Sequence, residues 1–140
     1  MKGWACRRSI LGAVSLLVGV VLVACGGPVK GGPPSITDVE GHLDVSVGYM
    51  PDGCDPVGLD GDGRGTVMGA AFDCPEDATL RIERFNAGGN DDALSASPSE
   101  TSPGRVEWRD GSTSDVIRVV SDDLDVAVLL QVAKSIEVHD

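Results

Sequence analysis

Apolar residues are spread along this 140-residue chain in two different ways. Residues 10–24 form one apolar run without a charge, whereas from Val39 onward apolar positions recur at short intervals between polar ones. The clearest period of two runs through Leu43, Val45, Val47 and Tyr49, alternating with Asp44, Ser46, Gly48 and Met50. It predicts a first strand, ended by a turn at Pro51-Asp52-Gly53. A second strand is expected from Thr66 to Phe72, where Met68, Ala70 and Phe72 share a parity that continues to Cys74. Pro75-Glu76-Asp77 interrupts the chain before a third strand, from Thr79 to Phe85, marked by Leu80 and Ile82.

Further along, Val106 and Trp108 alternate with Arg105, Glu107 and Arg109; Asp110-Gly111 turns the chain and Val116 to Val120 returns, a hairpin pattern. Asn86 to Gly104 is a run of Gly, Asn, Asp, Ser and Pro that lacks the apolar content to order itself, and a mobile loop is expected there. The last segment satisfies two patterns. Val126, Val128, Leu130 and Val132 fit a strand, while Val126, Leu129, Leu130 and Ala133 fit one face of a helix. Asp122, Asp123 and Asp125 ahead of it and Lys134 near its end suit a helix dipole, so a helix over roughly 124–135 is preferred. The expected architecture is α+β, an antiparallel sheet of about five strands with a C-terminal helix on one face. An all-β sandwich is the alternative if 124–132 is extended.

Charge sets the long apolar run apart. Lys2, Arg7 and Arg8 precede it, and Gly26, Gly27 and Pro28 would end a helix straight after it. Its length falls short of the roughly 18–20 residues needed to cross about 30 Å of hydrocarbon. A basic start, a short apolar core and small residues at the end describe a secretory signal peptide over residues 1–24. The alternatives are a plain secreted protein cut elsewhere and a retained helix.

Leu22-Val23-Ala24-Cys25 resembles the lipobox of bacterial lipoproteins. The resemblance implies a thioether-linked diacylglycerol on Cys25, cleavage before it, and fatty acylation of the new amine. Each buried CH₂ contributes about 0.8 kcal/mol, so one acyl chain holds weakly and two anchor stably. The following GGPVKGGPPS has no apolar period and reads as a tether, so residues 25–37 join the anchor to a single domain over 38–140. The expected address is the extracytoplasmic face of the cell envelope, in the outer leaflet of the cytoplasmic membrane.

Cleavage before Cys25 would leave all 22 acidic residues with only eight basic ones (Lys30, Arg64, Arg81, Arg84, Arg105, Arg109, Arg118, Lys134), a net charge of −14. Such a surface disfavours nucleic acid, whose phosphates need neutralising, and is repelled by anionic lipid head groups. From Cys25 onward aromatic residues are few: Tyr49, Phe72, Phe85 and Trp108, with Trp108 expected in the core. A core this small gains from a covalent staple. With Cys25 lipidated and Cys6 removed, Cys54 and Cys74 remain in an oxidising compartment and are expected to bond. Closing that loop of about 20 residues contributes about 3 kcal/mol in the chain-entropy view.

One segment carries candidate metal chemistry. Asp60-Gly61-Asp62-Gly63-Arg64-Gly65 resembles the opening of an EF-hand-type calcium loop, with Asp60 and Asp62 as oxygen ligands. Arg64 at the fifth position and Ala71 at the twelfth depart from that pattern, since both should supply oxygen. Asp91 and Asp92 form a second acidic pair in the expected loop. For nucleophilic chemistry only His42 and His139 could act as histidine bases, His42 at the edge of the expected first strand and His139 beside the terminus. No nucleophile elbow, paired-histidine zinc motif or phosphate loop occurs, and no catalytic residue is assigned. The function expected is a lipid-anchored, non-catalytic binding or interaction module meeting an envelope protein or a small ligand. A calcium-binding adhesion or sensing domain and a carboxylate-dependent hydrolase are the alternatives.

Overall fold

Six antiparallel strands form the main sheet of the computed structural model, which describes residues 32–88 and 93–140. In chain order the elements are α1 (Ile36–Leu43), β1 (Val45–Val47), β2 (Asp55–Gly61), β3 (Val67–Asp73), β4 (Thr79–Phe85), β5 (Ser99–Ser102), β6 (Arg105–Arg109), β7 (Val116–Val120), α2 (Val126–Lys134) and β8 (Ile136–Val138). The main sheet runs β2-β3-β4-β7-β6-β5, and β1 pairs with β8 in a second, two-stranded sheet. The fold is α+β, with the C-terminal helix packed on the sheet. Residues 1–31, with the expected signal peptide, Cys25 and most of the expected tether, lie outside the described residues, as do Asp91 and Asp92.

Side-chain parity decides what the sheet buries. Ala70, Phe72, Leu80, Ile82, Val106, Trp108, Ile117 and Val119 share one face and form one cluster with Val39 and Leu43 of α1 and Leu129, Val132 and Ala133 of α2. Burying a Leu, Ile, Val or Phe side chain contributes roughly 1.5–3 kcal/mol, and Trp108, at 5% exposure, takes its expected place in this core. The parity that aims Phe72 inward also aims Cys74 inward, and Cys74 is bonded to Cys54. The bridge ties the residue ahead of β2 to the residue after β3.

The N-terminal helix replaces the start of the expected first strand. Ser35 and Asp38 form a capping box: the Asp38 amide donates to Ser35 Oγ (3.2 Å) and the Ser35 amide to Asp38 Oδ2 (2.8 Å). Val39 and Leu43, four apart, then turn inward and are fully buried. Asp44, in the left-handed region at φ 54°, ends the helix, so the strand shrinks to Val45–Val47. His42 therefore sits on a helix, not at a strand edge. The charged Arg84 of β4 closes the helix end. Its Nη1 donates to the carbonyls of Leu43 (3.0 Å) and Asp44 (2.9 Å), and its Nε pairs with Asp115 (2.8 Å). A cation at the orphan carbonyls of a helix C-terminus is favourable.

Three more strands differ from expectation. β2 occupies a segment to which no strand is assigned from the sequence, between the expected turn at 51–53 and the strand expected from Thr66; β5 lies inside the 86–104 segment expected as a mobile loop, and β8 follows the helix. β2 and β5 are edge strands whose neighbours supply the hydrogen bonds, while β8 is only three residues long and packs Ile136 and Val138 against the core beside β1. The sheet thus has six strands where about five were expected.

The β5–β6 turn depends on one glycine. Gly104 sits at φ +73°, and a Cβ there would lie 2.4 Å from the Ser121 carbonyl oxygen. That backbone is fixed, since the Ser121 amide donates to the Gly104 carbonyl at 3.0 Å. Gly104→Ala should lower stability by about 2 kcal/mol in urea unfolding; an unchanged midpoint would show that this turn does not hold β5 and β6 together.

Candidate functional site

The opposite face of the main sheet carries the polar side chains of the same strands. Strand register lays them out in rows. Val67, Phe85, Val116 and Arg109 are neighbours across β3, β4, β7 and β6. The next row is Asp60, Gly69, Glu83, Arg118, Glu107 and Ser99, spanning all six strands. A third holds Ala71, Arg81, Val120, Arg105 and Ser102.

Within these rows the charges join in one alternating chain. Arg81 donates Nη1 and Nη2 to the two oxygens of Asp60 (2.8 and 2.7 Å) and Nε to Glu83 Oε1 (2.6 Å). Arg118 donates Nη1 to Glu83 Oε2 (3.1 Å) and Nε to Glu107 Oε1, whose other oxygen accepts from Thr101 Oγ1 (2.7 Å). The Arg118 guanidinium also lies over the Phe85 ring, 4.6 Å from its centroid, a cation–π geometry. The ladder therefore links β2, β4, β7, β6 and β5. It passes over β3 because β3 offers a glycine there. A Cβ on Gly69 would come within 2.4 Å of Arg81 Nη2 and 2.6 Å of Asp60 Oδ1.

The ladder is most solvated at its β2 end and most buried at Glu107 on β6. Arg81 and Asp60 side chains are 34% and 55% exposed, so their bidentate pair is worth only about 0.5 kcal/mol. Glu107 is 8% exposed. Burial pushes its carboxyl up, but the bonds from Thr101 and Arg118 outweigh this and hold it below its ordinary value. Asp60 is likewise held low, chiefly by the hydrogen bonds from Arg81. At the β6 end, Arg105 is exposed, while Arg109 donates Nη1 to the Ser114 carbonyl (3.3 Å) and keeps Nε and Nη2 buried without a hydrogen-bond partner.

The two aspartates of the calcium-like motif have separate partners. Asp60 belongs to β2 and is bonded to Arg81. Asp62, in the β2–β3 connection, accepts from the Arg64 amide (2.9 Å), the Thr66 amide (3.2 Å) and the Thr66 hydroxyl, and so organises its own turn. Among the described residues no group of three or more His, Cys, Asp or Glu side chains is placed to hold a metal ion. His42 Nε2 lies 2.7 Å from the Asp60 carbonyl oxygen, and His139 Nε2 lies 2.7 Å from Ser46 Oγ, so the histidines stand in different places. Cys25 lies outside the described residues.

Two recesses lie away from this face's centre. One, of about 210 Å³, is lined by Arg64, Thr66, Met68, Arg84, Asn86 and Asp115, smaller than the roughly 300–1,000 Å³ of usual ligand sites. The other, of about 550 Å³, is a groove beside the disulfide, lined by Pro33, Pro34, Ile36, Met50, Cys54 and Pro56. Among the described residues no helix is long and apolar enough to cross a membrane. Neither a protein-family model, nor a curated protein, nor a solved structure matches this chain.

The ladder was not anticipated from the sequence. Its signal is present in Arg81/Glu83 and Arg105/Glu107/Arg109, charges repeating on the parity opposite to Leu80/Ile82 and Val106/Trp108. What the sequence lacks is the strand order that brings Glu83 beside Arg118.

The Gly69 crossing can be measured by a double-mutant cycle. Asp60→Asn and Arg81→Gln should show a coupling of about 0.5 kcal/mol in the native background and none in a Gly69→Ala background; equal coupling in both would mean that glycine is not what permits the pair. The depressed carboxyls also fix a pH dependence. Their contribution is present above the ordinary carboxylate range and is lost as pH falls below about 4. Glu107→Gln should lower stability at pH 7 by about 2 kcal/mol and flatten the acid limb of the curve. An acid limb as steep as in the native protein would contradict the assignment.

Proposed function

We propose that this chain is a lipid-anchored cell-envelope protein, held through Cys25, whose domain is a non-catalytic binding or interaction module outside the cytoplasm. The disulfide between Cys54 and Cys74 suits an oxidising, extracytoplasmic compartment, and the lipobox-like Leu22-Val23-Ala24-Cys25 supplies the anchor.

The observation that carries the binding reading is the uncovered sheet face with its ordered ladder from Asp60 to Thr101. Side chains already fixed by ion pairs lose little further freedom when a partner is met, which favours recognition. Phe85 and Val120, both half-buried, give the same face apolar positions between the charges. The carboxyl of Asp60 is held low by Arg81 and that of Glu107 by Thr101 and Arg118, whereas a general acid needs a carboxyl raised towards the working pH. That contrast favours binding over a carboxylate-dependent hydrolase. A calcium reading at Asp60 and Asp62 would require Asp60 to leave Arg81. The partner fitting this face is an envelope protein or a small polar ligand.

The test uses intact cells. Wild-type protein should fractionate with membranes and carry a diacylglycerol mass on Cys25, while Cys25→Ser should be soluble and unmodified. In the anchored protein, a photo-cross-linking side chain at Val120, on the open face, should capture a defined envelope component that one at Lys134, on α2, does not. An unmodified Cys25 in the membrane fraction contradicts the anchor, and equal capture at the two positions contradicts the assignment of the face.

A further inference from the structure

We propose that the groove beside the disulfide is the point at which the domain docks on the bilayer, taking up an acyl chain of a membrane phospholipid. This docking rests on the anchor proposed at Cys25. The groove measures about 550 Å³, within the range of sites that enclose organic ligands. Six of its lining residues, Pro33, Pro34, Ile36, Met50, Cys54 and Pro56, present mainly carbon and sulfur, and Asp55 is the one charged residue beside them.

Two of the large exposed apolar side chains lie in or beside the groove, Ile36 in its wall and Val57 next to Pro56, whereas Val67 lies at the far end of the β2–β3 pair. Among the described residues the large exposed ones are Ile36 (38%), Val57 (45%), Leu59 (38%) and Val67 (42%). Ile36 opens α1, and Val57 and Leu59 follow Pro56 along β2, against which α1 packs. Ile36 stands on the same helix stripe as Val39 and Leu43, three and seven residues on, yet stays 38% exposed at the start of α1 while those two are fully buried. An apolar surface held near a bilayer has a use for it.

Chain length says what covers the groove. Pro33, which forms part of its wall, follows Cys25 by eight residues. Fully extended, that connection spans at most about 28 Å, less than the thickness of one bilayer. A groove tethered at that distance meets lipid at high effective concentration, so a weak intrinsic affinity suffices. Charge sets the lipid type: the acidic domain is repelled by anionic head groups, so neutral phospholipid is the partner and added salt should ease docking on anionic membranes.

The experiment uses the full mature protein purified from membranes and reconstituted in phosphatidylcholine vesicles doped with a phospholipid carrying a photoreactive diazirine on its acyl chain. Intact mass is read first, then adducts are mapped by proteolysis and mass spectrometry. Adducts should concentrate in residues 33–36, at Met50 and in residues 54–59, and Ile36→Asp should lower their yield about fivefold with the disulfide and circular dichroism unchanged. Replacing half the lipid by phosphatidylglycerol should lower the yield at low salt. A lipidated protein with adducts spread evenly over the domain, or with none, overturns the docking and leaves the anchor standing. Protection of the groove peptides from hydrogen exchange without adducts, together with a dimer mass, assigns the groove to a second copy and also overturns it. An unlipidated Cys25 overturns both proposals at once.

Discussion

One face of the main sheet must be buried and the other must not, and nearly every other feature answers to that constraint. Phe72, Leu80, Ile82, Val106, Trp108, Ile117 and Val119 are packed beneath the two helices. Because strand side chains alternate, fixing those residues inward fixes Arg81, Glu83, Glu107 and Arg118 outward. Slipping a strand by one residue would drive those charges into the core and expel the apolar set, a large cost in both directions. The ladder is thus a consequence of core packing, and it adds cross-strand attraction on the face where packing cannot act. Its most buried member, Glu107, is bonded from both sides by Arg118 and Thr101, as a carboxylate withdrawn from water requires.

The margins of the sheet are handled separately. β2 is an outer strand, and it carries Pro56, an irregular register between Pro56 and Gly58, and the disulfide at its start. β5, at the other margin, is four polar residues with an irregular register of its own. Short, bulged, charged or proline-bearing edges resist pairing with other chains. Arg84 is the exception to the apolar face: it lies 8% exposed on the core parity, and its hydrogen bonds to the end of α1 and to Asp115 compensate its burial.

Legibility in the sequence followed apolar contrast. β4 and the β6–β7 hairpin were readable to the residue because their alternation is strict, and α2 because charges at both ends distinguish helix from strand. α1 was hidden: its two buried residues belong equally to a period-two reading that continues into β1, and its capping box begins at the end of a Gly/Pro stretch. β2 and β5 were hidden because edge strands draw their stability from a neighbour and show few apolar residues. The disulfide was legible from parity and cysteine count. The ladder was half legible, its alternating charges visible and its pairing not, since β4 lies beside β7 only after the chain has made β5 and β6. Asp60 was singled out for its spacing to Asp62, but its partner, Arg81, is 21 residues away.

The proposed roles divide the molecule by the same constraint. The open face, preorganised by ion pairs, is where a polar partner fits, and the apolar groove near the start of the domain is where lipid fits. Both depend on the sheet being two-faced in solution, and hydroxyl-radical footprinting read by mass spectrometry measures that directly. Phe72, Leu80 and Trp108 should be protected in the folded protein while Val57, Leu59 and Val67 are oxidised, and the difference should vanish on unfolding. Oxidation of Trp108 as fast as that of Val67 in the folded protein would contradict the account.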